Sequence, residues 1–457
     1  MNDTEREVTH AVQFHTLYGI FPIVLFTYFC IPFKLRKIWL LIASYYFYMS
    51  WNPKYALLIG GSTLITYTCG ILIEKCDCFS SCSGLKWKKV VLGLGIVSNF
   101  TILGIFKYGN FVIETINNVL QFCHIRVVDC RFDLLLPIGI SFYTFQVLGY
   151  LIDVYRKDTK AERNLLRYAL FVSFFPQLVA GPIERSKNLL KQMKNIESMF
   201  LWNTKRMASG SILMVWGYFQ KMVIADRVAV LVNTVFDNYH MYGSTELCVA
   251  VIGFALQFYC DFGSYSLIAI GAAKIMGFEL MENFNTPYFA SNWNFVIWGG
   301  LHGLYQTAAD FTLPYRKKAY DKLNVKTNCF SWHFLQVAVT FLLVDFAWIF
   351  FRSKSIKDAI YFIQRIAIRP TPWVLFNGGI YNLGLDRVEM NILIVSLVLL
   401  FLVDKIRYKK KMTLDVFLME QNLLFEWLII ILLVLAIFIF GEYGTTFNAQ
   451  QFIYFQF

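Results

Sequence analysis

Apolar runs long enough to cross a bilayer recur from one end of the sequence to the other, and this feature constrains the fold more than any other. A span needs about 20 mostly apolar residues to cross roughly 30 Å of hydrocarbon. Candidate spans are Leu17–Phe33, the shorter Ile38–Ser50, Ala56–Ile73, Val90–Phe106, Leu134–Ile152 and Met207–Val232. Further candidates are Cys248–Met276, Trp293–Ala309, Phe334–Phe351, Ile392–Asp404 and Phe425–Phe440. Only 16% of the 457 residues are charged and 57% are hydrophobic, against about a quarter and about half in soluble domains. The 18% aromatic content is incompatible with disorder. The expected fold is all-α, a polytopic transmembrane bundle of about 10–12 spans with added re-entrant or interfacial helices. Residues 1–457 are expected to form a single membrane-embedded domain.

The basic excess of +12 falls in short clusters between the apolar runs. Loop charges on the cytoplasmic side, touching anionic lipid, explain it. No nucleic-acid partner is expected, because no basic patch is interleaved with a soluble fold. The clusters are Lys34–Lys37, Lys86–Lys89, Arg156–Arg167, Arg185–Lys205, Arg316–Lys318 and Lys405–Lys411. They place the N-terminus outside, and the chain is expected to be a multi-pass protein of the cell inner (plasma) membrane. The first residues carry acids and no small-residue cleavage site follows, so the first apolar segment is expected to be a retained span. Ser353–Arg369 has mixed polarity and is expected to lie on the outer surface as an amphipathic helix. One interval does not balance: three spans fall between the basic loops at Lys205 and Arg316, where two cytoplasmic ends require an even number.

Cys30, Cys69, Cys248 and Cys260 lie within apolar runs and are expected to be small buried hydrophobes. Cys76, Cys78 and Cys82 share a polar loop, but three thiols without a nearby histidine lack the spacing of a zinc site, and no metal is expected.

Of six histidines, only His302 lies in a strongly apolar segment, Trp298-Gly299-Gly300-Leu301-His302-Gly303. An ionisable side chain at membrane depth is a functional candidate by default. A neutral imidazole there can accept a proton. The competing account is a histidine bonding a neighbouring helix, with glycines serving helix packing. Asp261 occupies a polar island with Gln257, Tyr259, Ser264 and Tyr265; it either orients a base or lines a channel, or it is a satisfied interhelical bond. Asp345 invites the same two accounts. The segment Phe175–Arg185 holds Pro176, Gln177, Gly181 and Pro182, which forbid a continuous helix. Such backbone at membrane depth must line a cavity or be buried in protein. The run Pro137–Gln146, with Ser141 and Gln146, has the same character. No nucleophile elbow, phosphate loop or His-Glu-x-x-His is present, so soluble hydrolases and nucleotide-driven pumps lose support.

Together these segments resemble the membrane-bound O-acyltransferase family, most like its alginate O-acetyltransferase branch, with the D-alanyl transfer protein of teichoic acids as a cousin. The resemblance runs from about Phe33 to Phe457. It rests on Pro137–Gln146, Tyr150–Arg156, Phe175–Arg185, Gly217–Lys221, Gln257–Phe262, Asn283–Phe289, Trp298–Gly303, Trp348–Arg352 and Phe452–Phe457. Jointly these are specific; singly each is weak.

The resemblance implies that an acyl group, such as acetyl, moves from a cytoplasmic thioester donor, such as acetyl coenzyme A, to a hydroxyl. The acceptor is a polysaccharide or a relay protein on the other face, with an extracytoplasmic acetyltransferase partner during exopolysaccharide modification. No cofactor stays bound; the thioester is a substrate. A histidine in a membrane tunnel is the base. His302 is then the catalytic candidate. Asp261, Gln257, Tyr259, Gln146, Ser141, Pro176, Gln177, Gly181, Pro182 and Trp298 are candidate tunnel-lining residues.

The sequence departs from the family pattern beside that histidine. Family members carry several dozen residues after Asn-Thr-Pro-Tyr-Phe-Ala, including Arg-Trp-His and then Gly-Leu-Trp-His-Gly, whose histidine is catalytic. Here Asn285–Ala290 runs straight into Ser291–Gly299, as though a segment near 290–291 were missing, in the same interval as the odd span count. His302 matches a later His-Gly motif, and Leu301 stands where the catalytic motif has Trp. Gly263-Ser264 and Leu267 stand where relatives often have Ser-Gly and Asp. Two outcomes follow: an internally deleted, inactive member or scaffold, or a chain in which His302 serves as base. A transporter, the third class, should show paired half-helices or internal symmetry, and neither is visible.

Overall fold

The computed structural model describes residues 21–50, 52–76, 82–125, 139–178, 184–281 and 293–442, with Gly19, Pro137, Gly181 and Pro182. Asn283–Phe289, the 290–291 junction, Cys78 and Phe452–Phe457 lie outside the described residues. The fold is all-α, with no strand among the described residues.

The chain divides into two compact units. The first comprises residues 1–221, 262–288 and 402–456; the second comprises 222–261 and 289–401 with residue 457. In chain order the helices are α1 (Phe21–Cys30), α2 (Arg36–Met49), α3 (Lys54–Cys76), α4 (Cys82–Leu103) and α5 (Gly109–Phe122). Next come α6 (Ile140–Tyr155), α7 (Leu165–Ser173), α8 (Phe175–Leu178), α9 (Ser186–Lys194), α10 (Thr204–Phe219) and α11 (Asp226–Asp237). The series ends with α12 (Ser244–Met276), α13 (Trp293–Lys322), α14 (Phe330–Arg352), α15 (Ile356–Ile368), α16 (Arg387–Lys410), α17 (Leu414–Met419) and α18 (Leu423–Phe440).

Among the described residues five stretches are long and apolar enough to cross a membrane: Lys54–Cys76, Lys86–Phe122, Ser244–Met276, Phe330–Arg352 and Leu423–Phe440. Leu423–Phe440 turns most of its apolar side chains outward, as lipid requires, whereas Ser244–Met276 is mostly buried in protein. On α18, Leu424 is 86% exposed and Phe438 73%. Helix α16, predicted as a span, carries charges at both ends: Arg387 and Glu389, then Asp404, Lys405 and Arg407. Of the cysteines expected inside, Cys260 is buried and Cys69 partly so, but Cys30 and Cys248 are exposed. A thiol is apolar enough to face lipid as readily as protein.

In the first unit, α3 packs on α4 and α6, α2 on α7, and α10 on α17 and α18. A girdle of tyrosines ties the α3, α6 and α7 group. The Tyr150 and Tyr168 rings lie 4.7 Å apart. The Tyr168 hydroxyl donates to Thr66 Oγ1 (2.8 Å), and the Tyr150 hydroxyl accepts from Glu162 N (3.0 Å). Tyr150 reaches that position because Gly70 has no side chain; a Cβ there would stand 2.8 Å from the Tyr150 hydroxyl. Helices α7 and α10 are capped by Asn164 and Asn203, whose side chains accept from Arg167 N and Arg206 N, satisfying donors that a helix start leaves free.

In the second unit, α13 packs on α14, and α14 on α15. The predicted outer-surface segment forms α15, capped by Ser355, whose hydroxyl accepts from Asp358 N. Phe254 and Phe258 of α12 pack on Trp348 and Phe351 of α14.

Candidate functional site

The proline-containing break in the first unit is buried in protein. Helix α7 stops at Ser173, where Phe174 turns out of helical geometry (φ −54°, ψ 107°), and α8 starts at once. In an unbroken helix the Phe175 N–H would bond the Phe171 carbonyl. Here that N–H donates instead to Ser44 Oγ (3.2 Å). The vacated Phe171 carbonyl accepts from Gln146 Nε2 (2.8 Å), and Gln146 Oε1 accepts from Gln177 Nε2 (3.1 Å). Two of the predicted lining residues, Gln146 and Gln177, are thus brought together to satisfy a broken helix. Gly181 closes the turn: its N–H donates to the Gln177 carbonyl (2.9 Å), and a Cβ there would lie 2.5 Å from Gln177 Cα. Pro176 and Pro182 are buried beside it. Ser141 sits in the first turn of α6, which begins after Gly139 in the left-handed region (φ 74°). Ser141 Oγ and Gln177 Oε1 are buried with no hydrogen-bond partner among the described residues.

In the second unit, Trp298 and His302 lie one turn apart on α13, their rings 4.9 Å apart and edge-on. Trp298 stacks on Trp348 (5.5 Å) and meets Phe351 edge-on (5.2 Å), which fixes this turn of α13 against α14. His302 is half-buried, and its Nε2 has no hydrogen-bond partner among the described residues. Among the described residues the glycines around it meet no neighbouring helix. A Cβ on Gly299, Gly300 or Gly303 would meet nothing within 4 Å among the described residues. Among the described residues a backbone face beside the imidazole is therefore open to an approaching group.

Gln257 and Asp261, four residues apart on α12, share its buried face. Gln257 Oε1 lacks a hydrogen-bond partner among the described residues. Tyr259 points elsewhere and is 38% exposed. Asp345 is buried with both carboxylate oxygens unpartnered among the described residues.

The structure adds residues that sequence inspection did not name as site candidates. Helices α10 and α11 are joined without interruption by a π-helical stretch, Gln220–Ala225, a distortion frequent at functional sites. Lys221 is buried, with its ammonium 5.7 Å from the Tyr265 ring centroid. Asp226 and Arg227 are also buried, and Arg227 donates to the Val223 carbonyl (2.9 Å). The signal was present in the sequence, as ionisable pairs inside the Met207–Val232 run. A cavity of about 210 Å³ also lies in the second unit, lined by Phe236, Tyr239, His240, Arg352, Asp358 and Phe362 among others. No local motif announces it, since its walls come from separate elements.

No family model matches the chain. Over 397 aligned residues it is 30% identical to a probable alginate O-acetylase of Pseudomonas syringae, covering 75% of this chain and 72% of that protein. It is 29% identical over 395 residues to the probable alginate O-acetylase of Pseudomonas aeruginosa, with coverage of 75% and 72%. It is 28% identical over 400 residues to a peptidoglycan O-acetyltransferase of Helicobacter pylori, with coverage of 71% and 72%. The 395 aligned positions exceed the number of residues in 75% of this 457-residue chain, so that relative has residues in the aligned region that this chain lacks.

Proposed function

The chain belongs to the membrane-bound O-acyltransferase family, and we propose that it moves an acetyl group from a cytoplasmic thioester, such as acetyl coenzyme A, to a hydroxyl of an extracytoplasmic polysaccharide or relay protein at the plasma membrane. That the chain is a membrane acyltransferase follows from the family; the donor, the acceptor and the route are the proposal. Donor and acceptor approach from opposite faces, so the reaction requires a passage through the bilayer.

The observation that carries this reading is the His302 imidazole, whose Nε2 has no hydrogen-bond partner among the described residues, beside an open glycine face. In the proposed step the acceptor hydroxyl oxygen attacks the thioester carbonyl carbon while Nε2 takes the hydroxyl proton. The tetrahedral intermediate then collapses, the C–S bond breaks, and the departing thiolate leaves as the thiol with that proton. Donors aimed at the developing oxyanion lower the barrier.

A second reading is a catalytically silent form of the same fold. It is favoured by the run of Asn285–Ala290 straight into Ser291 and by the aligned residues of the relative that this chain lacks. Transfer of labelled acetyl from coenzyme A in membranes separates the two. Wild-type transfer that falls at least about 10²-fold in His302→Ala supports the base assignment. No transfer by the wild type refutes catalysis, and transfer indifferent to His302→Ala refutes the assignment of His302.

A further inference from the structure

A carboxylate stands exposed on α13 at the middle of the bilayer. This helix is more polar than the five apolar spans, yet it packs along one of them, α14. Near one end of the pair Trp298 stacks on Trp348 (5.5 Å), and near the other Tyr320 meets Trp332 edge-on (4.9 Å), so the two helices run antiparallel. With equal rise per residue on both, Asp310 falls level with about Val339, close to the middle of α14 (Phe330–Arg352). Gln306, one turn away on the same face, and Asp310 are both exposed.

Neither side chain has a hydrogen-bond or ion-pair partner among the described residues. Arg316, further along the helix, donates to the Ala309 carbonyl (2.8 Å) instead. Thr307 and Thr312 donate to the Gly303 and Ala308 carbonyls of their own helix (2.8 and 2.6 Å) and ask for nothing more. The backbone repeats the demand at Asp310. Pro314 lies inside α13, and a proline has no N–H to give the carbonyl four residues before it, which here is that of Asp310. One residue thus offers a carboxylate and a carbonyl short of its helical donor, both of them acceptors. A carboxylate at this depth is costly against lipid and is kept where it meets a partner or water.

We propose that this face of α13 docks a transmembrane helix of a partner protein, one that carries a cationic side chain, Lys or Arg, at mid-membrane. An ammonium or guanidinium brings positive charge to the Asp310 carboxylate and spare N–H donors to its carbonyl. A second copy of this chain does not fit. Copies related by a two-fold axis in one membrane present the same patch to each other and would set Asp310 against Asp310, like charge against like. Asp310 lies roughly 12 Å beyond His302 along α13, so a helix crossing at Asp310 leaves the glycine face beside the imidazole to reactants. The docking does not depend on acetyl transfer.

The full chain, carrying a donor dye, is reconstituted in phosphatidylcholine vesicles with synthetic transmembrane helices of about 23 residues that carry an acceptor dye. The helices share one Leu-Ala sequence and differ only in a central Lys, Leu or Glu. Energy transfer is expected to show the Lys helix associating at least about tenfold more strongly than the Leu helix, with the Glu helix no stronger than Leu. Asp310→Asn, at an exposed position where folding is not at stake, is expected to abolish that preference. Asp310→Lys is expected to hand it to the Glu helix, a reversal that altered packing alone does not produce. Equal association of the three helices, or a Lys preference that survives Asp310→Asn, overturns the proposal. Labelling of Asp310→Cys by a water-soluble maleimide well above wild type in peptide-free vesicles also overturns it, by making this face the wall of an aqueous passage. Energy transfer between differently labelled copies of the chain that is lost in Asp310→Asn overturns it in favour of a second copy.

Discussion

Where α10 crosses α12, the first unit depends on two glycines. An added Cβ on Gly271 would lie 2.5 Å from the Gly210 carbonyl oxygen, 2.7 Å from Met214 Cγ and 3.0 Å from Met214 N. The Met214 side chain can swing aside; the carbonyl and the amide belong to the backbone of α10 and cannot. Ordinary contact begins at 3.4 Å, so in Gly271→Ala the helices must part by close to 1 Å. Overpacking of this kind costs about 1–3 kcal/mol. The expected loss is therefore about 1–3 kcal/mol. Gly93→Ala is the matched comparison: a Cβ there meets nothing within 4 Å among the described residues, and Gly93 is interior to α4. Removing glycine from such a site stabilises by about 0.4–1 kcal/mol. The same chemical change thus has opposite signs at two sites. Thermal unfolding of the detergent-purified chain, followed by tryptophan fluorescence, is expected to show Gly271→Ala well below wild type and Gly93→Ala level with it or above. Coincident melting of Gly271→Ala and wild type would refute the backbone-contact argument.

Lys274→Met strands the fully buried Asp415, whose Oδ2 lies 2.9 Å from Lys274 Nζ; about 3 kcal/mol should be lost, the low end of the range for a broken buried pair, because Ser209 still donates, and an unchanged melting temperature would count against the pair. The same carboxylate predicts a pH dependence: burial raises the Asp415 pKa, but hydrogen bonds from Ser209, Thr413 and Lys274 outweigh burial and hold it below its ordinary value. With the folded pKa depressed, the stabilisation is complete above the unfolded value of about 3.9 and is lost as pH falls through the folded pKa; Asp415→Asn should flatten the acid limb of the stability–pH curve, and an unaltered limb would contradict this. Gln146→Leu leaves the Phe171 carbonyl buried without its donor and should cost about 1–3 kcal/mol, measured in the same melting assay.

The helical, lipid-facing character of the chain was legible because it depends on local composition, and α18 shows this in every turn. The helix break at Phe174 was legible too, since Pro176 and Gly181 allow nothing else. What filled the break was not. Gln146, Ser44 and Gln177 are far apart in sequence and meet only through packing, so their mutual satisfaction has no local signature. The cavity at Arg352 was hidden for the same reason: Tyr239 and Asp358 are 119 residues apart. The buried Asp226 and Arg227 were visible as charges inside an apolar run but were passed over, because that run was read for its hydropathy, and Lys221 entered only as the end of a family motif.

These partnerships divide the polar residues that sequence inspection grouped together. In hydrocarbon an unsatisfied polar group is costly, so a fold that needs one for architecture gives it a partner, as Gln146 is bonded at both ends of its amide. A residue kept for a reactant must instead leave an atom free for it. His302 Nε2, Gln257 Oε1 and the Asp345 carboxylate oxygens, all without hydrogen-bond partners among the described residues, answer to that description, and Gln146 does not. Substituting Gln146 should therefore act on stability, while substituting His302, whose imidazole stabilises nothing by hydrogen bonding through Nε2, should act on transfer and leave melting nearly unchanged. A His302→Ala variant that melts as early as Gln146→Leu would mean that the free imidazole nitrogen marks packing and not chemistry.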